Sequence, residues 1–169
     1  MANKNRVRIT EEVLLNIIQS PTQQGCRQEI NILIIDDQQL FIDSLVYVLK
    51  ALSDQVKINQ ANSVDEAITK LGNCDSYDLI ILDLNMPDMS SLAFLQHITA
   101  DDCFVPVVMM SAEQESKCIQ QALELGAMGF IPKSYHAGQM KSAIRTVLEG
   151  NLYLPSEVQK QLNNLSVQT

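Results

Sequence analysis

The sequence predicts an α/β fold, a doubly wound parallel sheet of five strands with helices on both faces. Three observations predict it. From Ile30 onward, five short apolar runs alternate with apolar stripes at helical spacing, so strand and helix follow one another five times. Four of those runs end on a polar or charged residue, Asp36, Asp83, Ser111 and Lys133, which is where such folds keep their chemistry. At 169 residues and 46% hydrophobic, the chain can bury one core and carry an appendage.

The elements follow in order. "INILII" (Ile30–Ile35) is a continuous apolar run that leads into Asp36 and Asp37. Leu40, Phe41, Leu45, Val48, Leu49 and Leu52 then recur with helical period. "VKINQA" alternates, as an edge strand with one wet face does. Ser63 and Glu66 form a capping box that opens a helix carrying Val64, Ala67, Ile68 and Leu71. "DLIILD" is the third strand, followed by the stripe Leu92, Phe94, Leu95 and Ile98. "VPVVMMS" is the fourth, with Pro106 near its start, where a missing N–H is tolerated. Ile119, Ala122, Leu123 and Leu125 mark a helix that Gly126 terminates, and "GFIPK" reads as a short fifth strand. The last helix spans Ala137 to Glu149 and closes on Gly150. Consecutive β-α units require right-handed crossovers. No G-x-G-x-x-G follows the first strand, which argues against a dinucleotide site and leaves the flavodoxin-like strand order 2-1-3-4-5.

Residues 1–29 stand apart as an N-terminal arm. Its basic residues Lys4, Arg6, Arg8 and Arg27 outnumber its acids Glu11, Glu12 and Glu29 by one, so the rest of the chain carries about −9 of the net −8. Thr10 can cap a short helix whose Val13, Leu14, Ile17 and Ile18 share a face, with Pro21 ending it and a polar linker following. That stripe packs on its own domain or a dimer mate, or it docks a partner. The domain itself is expected over 30–150, with 151–169 a tail or the start of an interdomain linker.

Net charge −8 argues against nucleic-acid binding by this chain, which would need a Lys/Arg stripe. Cys26, Cys74, Cys103 and Cys118 lack C-x-x-C spacing, so free thiols in a reducing cytosol are expected. No secretory h-region and no run of about 20 apolar residues occurs, so a soluble cytoplasmic protein is expected, with no membrane contact.

At the crevice between strands 1 and 3 the expected fold gathers Asp36, Asp37 and Asp83, with Ser111 and Lys133 from strands 4 and 5. Three converging carboxylates repel one another unless a cation sits among them, and Mg2+ suits oxygen ligands of this kind. A carboxylate is also a competent nucleophile towards phosphorus, and Lys133, Ser111 and backbone N–H groups could receive phosphoryl oxygens. Other readings compete. Asp36 and Asp37 could cap the next helix, Ser111 with Gln114 could form a capping box, and Phe130 could be plain core. His97 and His136 have no partners at ligand spacing and read as surface residues.

The combination "IIDD…LDLNMPDMS…MMSA…GFIPKS" resembles the receiver (phosphoacceptor) domain of two-component response regulators of the NarL/FixJ type, over about residues 30–150. The resemblance implies that Asp83 accepts the phosphoryl group. Asp37 would ligate Mg2+ directly, Asp36 through a bound water, and Asn85 through its main-chain carbonyl. Lys133 would pair with the phosphoryl group, Ser111 and Phe130 would be the switch hydroxyl and aromatic, and Asn85 and Glu113 would tune dephosphorylation. The implied partners are a sensor histidine kinase and, as a further option, a second copy of the chain. Beyond taking up and losing its own phosphoryl group, no enzymatic activity is expected. Two alternatives are a pseudo-receiver that acts by contacts alone and a haloacid-dehalogenase-like phosphatase. The latter wants a second acid two residues after the nucleophile, where this chain has Asn85, which cannot protonate a leaving group.

The sequence departs from the family in two places. Ser91 stands where Gly is usual, which would reshape the loop after Asp83 if φ were positive there. Ser134 replaces the Pro that often follows the strand-5 lysine, so a cis bond would cost about 3–4 kcal/mol and a slightly altered loop is expected. "GNLYLPSEV" is similar to the passage from such receivers into a linker before a helix-turn-helix domain. The sequence ends at Thr169, which reads either as a receiver cut from a transcription regulator or as a regulator that signals through protein contacts.

Overall fold

The computed structural model describes residues 29–72, 76–87, 90–100, 104–113 and 115–166. The helix expected within 10–18, its linker, Gln114 and three of the four cysteines lie outside the described residues; the fourth, Cys118, is free.

Strands β1 (Ile30–Ile35), β2 (Val56–Ala61), β3 (Leu79–Asp83), β4 (Val107–Ser111) and β5 (Gly129–Pro132) form one parallel sheet in the order β2-β1-β3-β4-β5. The doubly wound order predicted from the alternating runs is the one adopted. Helices α1 (Gln39–Lys50), α2 (Val64–Leu71), α3 (Ser91–Ala100) and α4 (Ser116–Glu124) connect the strands, and α5 (Ala137–Leu148) and α6 (Ser156–Ser166) follow them.

Strand side chains alternate between faces, and that alternation divides the core in two. Ile32, Ile34, Ile81, Val108, Met110 and Ile131 pack with Ile42, Leu45 and Leu49 of α1 and Ala143, Ile144 and Val147 of α5. On the other face, Leu33, Ile35, Ile80, Leu82, Met109 and Phe130 pack with Ala67, Phe94, Leu95, Ile98, Ile119 and Ala122. β1, β3, β4 and β5 are therefore apolar on both sides, whereas β2, on the edge, is mostly half-buried. Leu40 departs from its expected stripe and is 85% exposed. The helix starts at Gln39, and a rotation of about 100° per residue turns Ile42, Leu45 and Leu49 inward instead.

The helix ends follow local chemistry, with one revision. Ser63 accepts the N–H of Glu66 as expected, but the Glu66 carboxylate accepts from Asn62 N at 2.9 Å and pairs with Lys70 at 2.6 Å. His136, read as a plain surface residue, instead caps α5 through a reciprocal pair with Gln139. Gly126 and Gly150 take positive φ, 102° and 81°, and stop the helices before them.

The segment after α5 lies on the free edge of β5. Tyr153 N donates to Met128 O at 3.1 Å and Phe130 N donates to Tyr153 O at 3.0 Å, one rung of a sixth parallel strand. Val158 of α6 is fully buried, Leu154 and Leu162 join the same cluster, and Ser116 Oγ donates to Gln161 Oε1 at 2.6 Å, which ties α6 to α4. An open strand edge is an aggregation hazard, and this segment closes it. The close approach needs Gly129, because a Cβ there would lie 2.9 Å from Tyr153 O and 3.3 Å from Val147 Cγ2.

We therefore predict that Gly129→Ala lowers stability by about 1–3 kcal/mol, the usual consequence of overpacking. Amide exchange at Phe130 and Tyr153 should accelerate while β1 and β3 stay protected. Unchanged protection at both amides would refute the account of the edge.

Candidate functional site at the strand ends

Parallel strands that end together on one side of the sheet bring their terminal residues into one crevice. Asp36 follows β1, Asp83 ends the adjacent β3, and Lys133 follows β5. Lys133 Nζ lies 2.7 Å from Asp36 Oδ2 and 3.0 Å from Asp83 Oδ2, and all three side chains are almost fully enclosed. Its ammonium also sits 4.7 Å from the centroid of the Phe41 ring and 3.5 Å from Gln38 Oε1. Asp37 is exposed at the rim, yet an oxygen from each of Asp36, Asp37 and Asp83 lies within 4.8 Å of the others.

The crevice is short of positive charge. Three carboxylates face one ammonium, which leaves about two negative charges, the complement of a divalent cation. Asp36 shows the strain: burial pushes its carboxyl above the usual range, against the bonds from Lys133 and Gln38 N–H that favour its charged form, and Asp83 adds repulsion. The donor set is all oxygen, which fits a hard cation such as Mg2+. Asp36 already has both oxygens engaged, Oδ2 with Lys133 and Oδ1 with Gln38 N at 2.8 Å. Asp83 is engaged in the same way but less tightly, Oδ2 with Lys133 at 3.0 Å and Oδ1 with Asn85 N at 3.2 Å, and Asp37, exposed at the rim, has the most freedom to turn towards an ion.

The other expected residues divide into two groups. Asn85 and Ser111 join the cluster: Asn85 N donates to Asp83 Oδ1 at 3.2 Å, and Asn85 Nδ2 donates to Ser111 Oγ at 3.1 Å. Ser111, fully buried, also accepts Glu113 N at 3.0 Å. Ser111 is not a helix cap, since α4 begins at Ser116, five residues beyond it, with Glu115 at its N-cap. Phe130 lies inside the core cluster on the α3/α4 side, and Glu113 is exposed near the rim. Asp36 and Asp37 do not cap α1 either; Gln38 is its N-cap residue.

Sequence reasoning missed Gln38 and Phe41 as companions of Lys133, and nothing in their one-dimensional pattern marks them. Ser91 was noticed only as a departure from glycine. It is the first residue of α3, so no positive φ arises, and its buried hydroxyl donates to Asp83 O at 2.6 Å. The Lys133–Ser134 bond is trans, as no described residue follows a cis peptide.

Comparison with known proteins gives the same picture. A family model described as the response regulator receiver domain matches residues 32–145. The glycerol metabolism activator of Pseudomonas putida is 39% identical over 127 residues, covering 75% of this chain and 58% of that protein. The transcriptional regulatory protein LnrK of Bacillus subtilis (strain 168) is 30% identical over 135 residues, covering 80% of this chain and 61% of that protein. The chain thus spans about three-fifths of the length of these curated relatives. A crystal structure of a LuxR family DNA-binding response regulator from Silicibacter pomeroyi superposes with TM-score 0.66 at 30% identity, covering 76% of this chain and 98% of that one.

Removing the one cation from this cluster should leave two buried carboxylates uncompensated. Lys133→Met is predicted to lower stability by about 3–5 kcal/mol in metal-free buffer. Added Mg2+ should recover part of that loss, as read from urea unfolding midpoints. Equal midpoints for mutant and wild type would show that the pairs carry no net stability.

Proposed function

This chain belongs to the response regulator receiver domains of two-component systems, and we propose that Asp83 is its phosphoacceptor, charged by a sensor histidine kinase or a small phosphodonor. The observation that carries this reading is the placement of Asp83 Oδ2 3.0 Å from Lys133 Nζ, with two further carboxylates within reach of one ion. An Asp83 carboxylate oxygen attacks phosphorus, the bond from phosphorus to the donor nitrogen or oxygen breaks, and the donor keeps that electron pair. The product is an acyl phosphate, which water later cleaves to restore the carboxylate.

Receiver domains bind Mg2+ at an acidic pocket, and the residues that would hold it here are Asp37, Asp83 and the Asn85 carbonyl, with Asp36 reaching it through water. When bound, the ion neutralises charge on the phosphoryl oxygens and screens the acids from one another. Lys133 exchanges its contact with Asp83 for one with a phosphoryl oxygen while keeping Asp36, so the ammonium never lacks a counter-charge. Ser111 turns its hydroxyl from Asn85 and Glu113 N–H towards the same group, and Phe130 moves with it as the switch aromatic. Asn85 and Glu113 stand at the rim, where they govern access of the hydrolytic water.

We take 30–150 as the switching domain, 1–29 as an arm and 151–169 as the passage towards an output. An output in transcriptional regulation is supported by relatives such as the transcriptional regulatory protein LnrK, and a following DNA-binding domain and a homodimer belong to the same reading. So does a cytoplasmic location; no described helix is long and apolar enough to cross a membrane. The pseudo-receiver alternative leaves the enclosed Lys133–Asp83 pair unexplained, and the phosphatase alternative still lacks its acid at Asn85.

The test is incubation with a small acyl phosphate and Mg2+, followed by intact-mass measurement. We expect the mass of one phosphoryl group to be gained, and the gain to vanish on chelation and in Asp83→Asn. No gain with any phosphodonor, or an undiminished gain in the variant, would overturn the assignment.

A further inference from the structure

Among the described residues four polar or charged residues are buried as a whole, side chain and backbone together: Asp36, Asp83, Ser111 and Ser91. The first three belong to the site already described. The fourth touches it from behind. Ser91 Oγ, 1% exposed as a residue, donates to the main-chain carbonyl of Asp83 at 2.6 Å, across eight residues of chain.

Most other helical hydroxyl bonds among the described residues are local, and the exception, from Ser116 of α4, goes to an exposed side chain, Gln161 Oε1, and not to main chain. Ser44, Thr69, Thr99 and Thr146 each donate to the carbonyl four residues earlier in their own helix, a local habit of such side chains. A serine at the N-cap ordinarily accepts a free N–H of the first turn, and Ser91 lies one residue inside that position. Ser91 instead donates out of α3 to the last residue of β3. The parallel ladder to β4 ends here, with Leu84 N donating to Met110 O at 2.7 Å, and the Asp83 carbonyl, on the other side of that same trans peptide, points away from β4. A buried carbonyl without a donor is costly, so the hydroxyl fixes where this peptide points.

We propose that Ser91 is a positioning residue for phosphoryl transfer, acting through the backbone of Asp83; this rests on Asp83 being the phosphoacceptor. Holding the Asp83 carbonyl fixes ψ of Asp83 and hence the Leu84–Asn85 peptides that follow. Two metal-ligand atoms depend on that geometry, the Asp83 carboxylate and the Asn85 carbonyl, as does the Asn85 N–H that bonds Asp83 Oδ1. Where the family usually has Gly, this chain uses a hydroxyl to stiffen the turn that carries both ligands.

The test compares wild type with Ser91→Gly, Ser91→Ala and Ser91→Thr in the full chain. The glycine variant carries the residue that usually occupies this position, so it supplies a folded reference even if alanine proves disruptive. Three readouts apply: amide exchange at Leu84 and Asn85 without metal, Mg2+ affinity by calorimetry, and Mg2+ half-saturation of phosphorylation by a small acyl phosphate. We expect exchange at both amides to accelerate in the glycine and alanine variants and Mg2+ binding to weaken about tenfold, the low end of what loss of a group supporting a metal ligand does. The rate at saturating Mg2+ should fall less than the half-saturation rises, and threonine, which keeps the hydroxyl, should restore both. Glycine and alanine variants that match wild type in amide exchange and Mg2+ affinity would overturn the proposal. Failure of wild type to take up a phosphoryl group would instead sink the assignment of Asp83, and the exchange and calorimetric arms would still report on Ser91.

Discussion

The structure turns on one ammonium shared by two carboxylates from non-adjacent points in the chain. Lys133 closes on Asp36 and Asp83 in an enclosed crevice, its charge over the Phe41 ring. Without it, adjacent strands would end on unpaired buried acids, which a folded protein does not tolerate well. With it, three carboxylates still face one ammonium, and Asp36 sits above its usual range chiefly because it is buried, with repulsion from Asp83 a smaller cause. Natural sites keep such unrelieved repulsion where a ligand is meant to relieve it. Strand order makes the pairing feasible: β1 and β3 are neighbours, and β5 lies two places beyond β3, within the span of a lysine side chain.

The same alternation that divides the core also divides the site. Asp36, Asp83 and Lys133 continue the series Ile34, Ile81 and Ile131, which faces α1 and α5. Ser111 continues the series of Met109, which faces α3 and α4 together with Phe130. Asn85 spans the two, bonding Asp83 with its backbone and Ser111 with its side chain. A change in charge at Asp83 therefore has a short physical route to the backbone just after β4, at Glu113 N, through one amide side chain and one hydroxyl.

The elements beyond that point are held by the chain itself. Tyr153 pairs with the edge of β5, the strand that leads to Lys133, and α6 is seated on α4 through Val158 and the Ser116–Gln161 bond. The elements that would respond to the site are thus the ones that hold the C-terminal segment, and Gly129 provides the room for it.

The order of elements, the parallel sheet and the acids at the strand ends were legible in the sequence because they depend on period and spacing. A two-residue alternation, a helical stripe and a carboxylate after an apolar run each leave a local mark. Recognition of the motif series then named Asp83, Lys133 and their companions. The partners of those residues were not legible. Phe41 reads as ordinary helix core, Gln38 as a surface amide, His136 as a bystander rather than a cap, and Ser91 as a missing glycine; Leu40 looked inward and is not. Each outcome depends on the angle at which a helix begins or on which backbone atom lies across a loop. Such contacts join residues far apart in sequence, and only the folded chain brings them together. Residue type and spacing determined which groups reach the crevice; packing in three dimensions decided what each group touches there.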